Sequence, residues 1–222
     1  MKLLALDTAL DACSVAVLDG SAALAVRSEP MQRGHQERLA PMVAEAMAEA
    51  GLAFADLARI AVVVGPGSFT GVRVGLAFAK ALSLALDVPC IGVGTLEVMI
   101  ASTPGAAHGL AAAVIDAKRG QVYLQAFRDG TPLDPPAAMD IEAAAERLEG
   151  LGFRDGGVLT GSGAALLAER LAGVDILPSP EADASILGRL ALNRSVPDRR
   201  PQPLYLRAPD ARTIAERTAA AS

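Results

Sequence analysis

Aromatic residues and histidine are scarce in this sequence. Its 222 residues include no tryptophan, only 3% aromatic residues and two histidines. So few aromatic rings exclude base stacking as a main activity. The net charge is −5, whereas a protein that binds nucleic acid by itself usually carries a basic surface. We therefore expect this chain not to hold RNA alone.

Cysteine is rare too, and export or membrane signals are weak. Cys13 and Cys90 are the only cysteines and form no close motif, which predicts reduced core residues. The apolar run at the N-terminus is too short for a signal peptide. Arg73, Lys80 and Asp87 interrupt the longest apolar run before it reaches membrane-spanning length. These features predict a cytoplasmic protein that does not enter a membrane.

The most informative stretch present is RIAVVVGPGSFTGVRVGLAFAKALSLAL, which begins at Arg59. It predicts a strand over Ile60–Val64, a glycine loop and a helix over Thr70–Leu86. This helix is apolar almost all round, so it needs cover on two sides. One side can be its own sheet. The other side predicts a partner. Gly71, Gly75 and Ala79 form a row of small residues spaced four apart, which would let a partner helix approach. The alternative is that this row faces the chain's own sheet.

The glycine loop resembles a phosphate site only superficially. In a P-loop the last glycine precedes lysine and then serine or threonine, but Gly71 is followed by Val72 and Arg73. The spacing favours a tight turn that lets strand and helix pack closely. Anion binding at the helix N-terminus stays open as the less favoured alternative.

The chain begins with an antiparallel meander followed by an amphipathic helix. Strands are predicted over Lys2–Leu6, Ser14–Leu18 and Ala22–Ser28. The helix is predicted over His35–Ala50, where apolar residues recur at helical spacing. His35 has no second histidine or cysteine nearby, so we interpret it as a cap or surface residue rather than a ligand.

The opening pattern recurs in the second half. KLLALDTALDACSVAVLDG and GLAAAVIDAKRGQVYLQAFRDG both contain a strand, an aspartate, a polar turn, a second strand and a closing Asp-Gly. Asp7 thus matches Asp116. The repeat predicts a two-lobed α/β protein, with a first lobe over 1–103 and a reduced second lobe over 104–222.

The end of the chain is basic. From Arg189 onward it carries seven arginines against three acidic residues. Within this part, PDRRPQPLYLRAPD is rich in proline, which predicts an extended or docked segment. Two interpretations stay open: an arm that touches tRNA phosphate or another subunit, and a solvated tail.

Three segments carry a resemblance to a known family: GPGSFTGVRVGLAFAKALSLAL, KLLALDTALDACSVAVLDG and GHQERLAPMV. Together they resemble the TsaB (YeaZ) family. The resemblance implies an actin/sugar-kinase-like duplicated fold. It also implies a subunit of the bacterial complex that makes threonylcarbamoyladenosine in tRNA, in which the related TsaD subunit transfers the threonylcarbamoyl group.

The resemblance also bears on catalysis. Catalytic relatives carry a His-x-x-x-His metal pair on the helix after the fifth strand, where this chain has Thr95 and Met99. Threonine is a poor metal ligand, and a lone thioether suits only soft metals. We therefore expect no catalytic residue and no metal site. The alternative is an independent enzyme of the same fold, either an ATPase or phosphotransfer protein or a metalloprotease.

A weak nucleotide site is the second implication. In the kinase-like fold the first hairpin turn faces the nucleotide phosphates, and glycine turns meet the adenosine. The candidate residues here are Asp7, Thr8, Asp116, Gly161 and Gly163. The alternative is that they only satisfy turn backbone. ATP or ADP is expected at most within the complex.

The implied partners are TsaD directly, the ATPase subunit TsaE through the heterodimer, and tRNA only through the complex. A homodimer of the free chain is a further option. The interface is predicted on the two helices of the first lobe, at Leu39, Met42, Val43, Met47, Gly71, Val72, Gly75 and Ala79.

Overall fold

The computed structural model describes residues 1–207, which form two α/β lobes, each built on one mixed sheet. The first lobe contains, in chain order, β1 (Lys2–Asp7), β2 (Ala12–Asp19), β3 (Ala22–Pro30), α1 (His35–Glu49), β4 (Arg59–Val63), α2 (Phe69–Leu86), β5 (Cys90–Val93) and α3 (Thr95–Ser102). The strand order is β3-β2-β1-β4-β5. β1 pairs antiparallel with β2 and parallel with β4.

The second lobe repeats this plan. It contains β6 (Leu110–Lys118), β7 (Gln121–Arg128), β8 (Thr131–Pro132), β9 (Ala137–Asp140), α4 (Ile141–Gly150), β10 (Val158–Thr160), α5 (Ala164–Ala168), β11 (Asp175–Leu177) and α6 (Ala184–Leu192). Its order, β8-β7-β6-β10-β11, again places an antiparallel hairpin beside parallel strands. The predicted duplicated, two-lobed α/β fold of the actin/sugar-kinase-like type is therefore confirmed.

Both faces of the first sheet are covered, which is why its central strands are apolar throughout. Leu3, Leu4, Ala5 and Leu6 of β1 are all fully buried. Because side chains alternate along a strand, half of them face α1 and α2. The other half face α6, where a Cβ on Gly188 would lie 3.2 Å from Leu3 Cδ2. Burying such a Leu side chain contributes about 1.5–3 kcal/mol.

The predicted lobe boundary is wrong for the C-terminal part of the chain. Ala184, Leu187 and Ala191 of α6 belong to the hydrophobic core of the first lobe. Residues 194–207, which we call the C-terminal strap, also return to that lobe, where the Leu204 amide donates to the Val64 carbonyl at 2.8 Å. Residues 184–204 thus belong by packing to the first lobe.

The prediction that the small-residue row of α2 faces a partner is also wrong. A Cβ on Gly71 would lie 2.0 Å from the Thr8 carbonyl oxygen, and one on Gly75 would lie 2.5 Å from Thr8 Oγ1. Ala79 is fully buried. The row therefore lets α2 lie directly against the end of β1, inside the chain's own core.

The other predicted interface residues belong to the core as well. Leu39, Met42, Val43 and Met47 are buried under α1, and Val72 is buried under α2. Their helical spacing predicted one apolar face correctly, but that face covers β2 and β3 of the same chain. If a partner docks on these helices, it meets their opposite sides.

The glycine loop before α2 is a packing turn. A Cβ on Gly67 would lie 2.3 Å from the Ala9 carbonyl oxygen, which accepts a hydrogen bond from the Ser68 amide. The Ser68 hydroxyl caps α2 by accepting from the Gly71 amide. By length and composition alone, α2 is the one helix among residues 1–207 that could cross a membrane, and about a third of it is buried within the protein.

Candidate functional site: the interlobe cleft and the outward face of two helices

A cleft of about 520 Å³ lies between the lobes. The β1–β2 turn, α3, the end of β6 and the segment before α6 line it. Its charged lining is acidic, comprising Asp7, Asp11, Glu181 and Asp183, and no lysine or arginine of the described chain lines it. This charge sets which ligands the cleft can hold.

Asp7 lines this cleft, and its role as a nucleotide ligand stays a prediction. One carboxylate oxygen accepts a hydrogen bond from the Ala9 amide at 2.9 Å. Burial raises the pKa of the Asp7 carboxyl, while the Ala9 hydrogen bond and the nearby His35 oppose that rise. His35 is buried, not a surface residue, and its Nε2 lies 3.2 Å from the Ala12 carbonyl oxygen. Asp7 thus contacts the start of the β1–β2 turn at Ala9, and His35 contacts its end at Ala12.

Thr8 is not among the residues that line the cleft, and its role as a nucleotide ligand stays a prediction. The residue is buried, and its hydroxyl donates to the Gly71 carbonyl of α2 at 2.7 Å. Because the only proton of the hydroxyl is used on α2, this side chain joins β1 to α2. The structure gives Thr8 a packing role.

Asp116 and the glycine turn lie together in the second lobe. The Asp116 amide donates to Ser162 Oγ, and a Cβ on Gly163 would lie 3.0 Å from that amide. The Asp116 carboxylate accepts from the Lys118 amide and pairs with Lys118 Nζ, both at 2.7 Å. Hydrogen bonds and charge from Lys118 lower the pKa of Asp116. Of this cluster, Ser162 lines the cleft.

Gly161 is required by close packing. Its φ is +105°, and a Cβ would lie 2.3 Å from the Val114 carbonyl oxygen. The space beside the Gly161 Cα is therefore filled by β6 and leaves no room for a ligand. Gly161 and Gly163 therefore close the turn onto β6, which accounts for both residues without a nucleotide.

The cleft residues do not fit the nucleotide that the fold family implies. A polyphosphate needs cations or free amide donors at the hairpin turns. Here the Ala9 amide of the first turn already donates to Asp7, and four of the residues that line the cleft carry carboxyl groups. Lys118 of the second turn is held by Asp116. These carboxylates would repel the phosphate groups of a free nucleotide.

Thr95 and Met99 lie one turn apart on α3 and both line the cleft. The Thr95 amide donates to the Gly65 carbonyl, and Thr95 Oγ1 is buried without a hydrogen-bond partner among the described residues. A Cβ on Gly161 would lie 2.5 Å from the Met99 methyl. Within residues 1–207, no three His, Cys, Asp or Glu side chains are grouped to hold a metal ion.

One exposed side of α1 and α2 carries mostly small or apolar side chains. We call it the outward face and define it by these exposed residues: Ala40, Ala44 and Ala48 on α1, and Phe69, Arg73, Ala77, Ala81, Leu84 and Ala85 on α2. On both helices the alanines are spaced four apart, so each set forms one row. A groove of about 560 Å³ lies between the helices at the Phe69 end.

A cluster that sequence reasoning missed lies beside this groove. The Arg73 guanidinium lies 3.6 Å from the centre of the Phe69 ring. Its Nε donates to the Tyr205 hydroxyl at 2.7 Å, and the two rings are 5.8 Å apart. We call these three residues the arginine stack. The one available signal was Tyr205, one of two tyrosines, within the proline-rich strap.

Several of the C-terminal arginines form ion pairs or hydrogen bonds with other residues of the protein. Arg194 pairs with Glu97 and donates to the Gly92 carbonyl. Arg207 donates to the Ala117 carbonyl and to Gln121 in the β6–β7 turn. The strap thus links the two lobes. Arg212 and Arg217 of the predicted basic tail lie outside the described residues, and tRNA contact by the tail stays a prediction.

Comparisons with known proteins agree with this geometry. The family profile described as "TsaD: tRNA N6-adenosine threonylcarbamoyltransferase" matches residues 26–187. An uncharacterised protein of Mycobacterium bovis is 35% identical over 214 residues, which cover 96% of this chain and 94% of that protein. The structure of YeaZ from Pseudomonas aeruginosa aligns with a TM-score of 0.71 and 30% identity, over 86% of this chain and 90% of that one.

A functionally named relative matches mainly the first part of the fold. The Escherichia coli "tRNA threonylcarbamoyladenosine biosynthesis protein TsaB" is 42% identical over 126 residues, 55% of this chain. The matched part spans about half of that relative, 53% of its length. This identity and the match to YeaZ over 86% of this chain indicate the same family. The chain belongs to the TsaB (YeaZ) family, within the wider group that the TsaD profile describes.

Proposed function

We propose that this chain is a non-catalytic docking subunit for the synthesis of threonylcarbamoyladenosine in tRNA. Its direct partner is a TsaD-type homologue, which transfers the threonylcarbamoyl group to an adenosine next to the anticodon. The proposal rests on membership of the TsaB family and on the outward face of α1 and α2. The second observation carries the docking role.

The outward face is built for a close helix–helix contact. Two helices whose facing side chains are small can approach to roughly 8 Å between axes, the lower end of the usual range. Ala77, Ala81 and Ala85 present such a surface on α2, and Ala40 and Ala44 continue it on α1. An exposed helix face on a soluble protein is normally charged. This one carries few charges: Arg73 is exposed and Lys80 half-buried on α2, and Glu37 is exposed near the start of α1.

The non-catalytic part of the proposal is supported by the cleft. A hydroxyl at Thr95 and a thioether at Met99 are weak ligands for the hard and borderline metals that catalyse group transfer. The acidic lining disfavours a free nucleotide. An independent ATPase, phosphotransfer enzyme or metalloprotease therefore finds no support in these residues.

The remaining parts follow from the docking role. TsaE would join through the heterodimer, tRNA would bind only to the assembled complex, and any ATP or ADP would bind there too. Without its partner, the free chain would cover the same face by forming a homodimer. Each step belongs in the cytoplasm, where tRNA is modified.

The test combines binding with the reaction. The chain is mixed with TsaD from the same cell, and the affinity is measured by sedimentation velocity and calorimetry. Threonylcarbamoyladenosine formation is then assayed with and without the chain. We expect Ala81→Glu to weaken binding at least about tenfold, because it places an unpaired charge in an apolar contact. The matched control is Ala143→Glu, which changes an exposed helical alanine of the second lobe.

Three results would contradict the proposal. The first is no binding of TsaD by the wild-type chain. The second is equal binding by Ala81→Glu and wild type. The third is modification of tRNA by this chain when TsaD is absent.

A further inference from the structure

The outward face contains one cation whose charge is not balanced. Arg73 is exposed on α2, and the residues that line the groove with it are uncharged, mostly apolar with Gln36 and Thr70 as the polar ones. No carboxylate among residues 1–207 pairs with it. An arginine on a surface usually moves among many rotamers, but this side chain is held in one place.

Two aromatic rings and a hydroxyl hold the guanidinium. Its carbon lies 3.6 Å from the Phe69 ring centre and 5.5 Å from the Tyr205 ring centre. The Tyr205 hydroxyl accepts from Nε at 2.7 Å. These contacts use the flat face and the inner nitrogen. The two terminal nitrogens, which can bind a carboxylate in a bidentate manner, make no hydrogen bond within the described chain.

The strap determines where Tyr205 lies. On one side of the tyrosine, the Leu204 amide is bonded to the Val64 carbonyl. On the other side, Arg207 is fixed to the Ala117 carbonyl at 2.8 Å. Tyr205 itself is 50% exposed and contributes little to the core. Its contacts are with Arg73 and Phe69, so its position is fixed and its side chain serves the surface.

We propose that the arginine stack is an anchor for a carboxylate of the docking partner, and that Tyr205 is a positioning residue that acts through Arg73. This inference rests on the proposed function and adds a specificity element to its interface. The partner presents an Asp or Glu beside an apolar side chain. The carboxylate meets the terminal nitrogens of Arg73, and the apolar side chain enters the neighbouring groove between α1 and α2.

The surroundings favour a protein carboxylate over an RNA phosphate. RNA backbones are bound by several cations spread along a groove, whereas the cations of the outward side of α2 are the exposed Arg73 and the half-buried Lys80. The groove beside Arg73 is lined mainly by apolar side chains, including Val74, Ala77 and Phe78. Arginine and tyrosine are both enriched among the residues that dominate binding at protein interfaces. Holding Arg73 in place before binding removes part of the rotamer entropy that the complex would otherwise lose.

The experiment measures the affinity of the full chain for TsaD by calorimetry at two salt concentrations. The variants are Arg73→Ala, Tyr205→Phe and the double variant. Arg128→Ala is the control, since it removes an exposed arginine of the second lobe. We expect Arg73→Ala to lose about tenfold or more in affinity and Tyr205→Phe to lose less. Tyr205→Phe should have no further effect in the Arg73→Ala background, because its hydroxyl acts only through Arg73.

Salt supplies an independent readout. The loss caused by Arg73→Ala should shrink in about 0.5 M salt, since screening weakens an exposed ion pair in the wild-type complex. Circular dichroism melting checks that the variants fold. Tyr205→Phe, which preserves the ring and the packing, keeps the test valid if Arg73→Ala is destabilised.

The outcomes separate the two proposals. If wild-type chain binds TsaD and Arg73→Ala matches Arg128→Ala, the anchor is overturned and the docking subunit stands. If the wild type does not bind TsaD, the proposed function fails and the anchor fails with it. If Arg73→Ala weakens tRNA binding by the complex but leaves protein affinity unchanged, Arg73 contacts RNA and the anchor is overturned.

Discussion

At the scale of single residues, the contact between Gly75 and Thr8 decides which side of α2 faces inward. A Cβ added to Gly75 would lie only 2.5 Å from Thr8 Oγ1. The same hydroxyl donates to the Gly71 carbonyl. Two adjacent turns of α2 are thus packed around Thr8, the residue that follows β1. The helix tolerates a mid-helix glycine, at about 1 kcal/mol relative to alanine, because the close approach requires it.

This contact gives a sharp stability prediction. Gly75→Ala gains roughly 1 kcal/mol of helix propensity but displaces a buried hydroxyl from its hydrogen bond, which costs about 1–3 kcal/mol, and adds overpacking of similar size. We expect a lower melting temperature for the isolated chain. In the Thr8→Ala background the oxygen is absent, so the same change should be far less harmful. An unchanged or higher melting temperature for Gly75→Ala alone would contradict this account.

At the scale of elements, an ionic network joins β3 to α1. Arg38 of α1 donates to Glu29 of β3 at 2.7 Å and to Glu45 at 2.8 Å, and Arg27 of β3 pairs with Glu45 and Glu49. β3 is an edge strand with Leu24 and Val26 partly exposed. Isolated surface ion pairs contribute little, but shared pairs with good geometry contribute more. The network fixes α1 on the edge of the sheet.

The network predicts a pH dependence with a defined sign. Hydrogen bonds from Arg38 lower the pKa values of Glu29 and Glu45 below their ordinary 4.5. A lowered carboxyl pKa stabilises the folded state above the unfolded-state value, and this stability is lost as the pH falls through the folded-state value. Arg38→Met should therefore lower the melting temperature at pH 7 and make little difference near pH 3.

Arg154→Met is the matched control, because it removes one exposed pair with Glu149 in the second lobe. Thermal melts at pH 7, 5 and 3 compare the two variants. If Arg38→Met lowered the melting temperature by the same amount at all three pH values, packing of the long side chain rather than the ionic network would be responsible.

At the scale of the whole molecule, the first lobe is completed by the far end of the chain. α6 covers the face of the sheet that α1 and α2 leave open, and Gly188 lies against Leu18 and Leu3. The Ala184 amide donates to Ser14 Oγ in β2 at 3.0 Å. The second lobe is therefore an insertion between α3 and α6, and the two lobes cannot be separated at one cut.

A fragment test follows. Residues 1–109 alone should not form a packed native state, because Leu3, Ala5 and Leu18 would lose the helix that buries them. We expect strong binding of a hydrophobic dye and weak dispersion in NMR spectra. Joining residues 180–207 to the fragment through a Gly/Ser linker should restore packing. A cooperative melt of the unextended fragment would refute this view of the lobe.

The sequence by itself determined the elements and the repeat. Period-two and period-3.6 patterns placed most strands and helices within one or two residues, as for α2, predicted over Thr70–Leu86 and observed over Phe69–Leu86. The repeat of the Asp-containing hairpin predicted the duplicated sheets. Such patterns can be read from sequence because local backbone preference and the burial of one face depend on residues that are close together in the chain.

Only the tertiary structure decided which faces are inside. Around α2 both Gly71–Gly75–Ala79 and Ala77–Ala81–Ala85 form small-residue rows, and periodicity cannot distinguish them. Contact with Thr8 across 63 positions assigns the first row to the core. The same limit applies to Tyr205, whose partner Arg73 lies 132 positions away. Contacts between residues far apart in sequence leave no local pattern, so the outward face and its arginine stack appear only when the chain is folded.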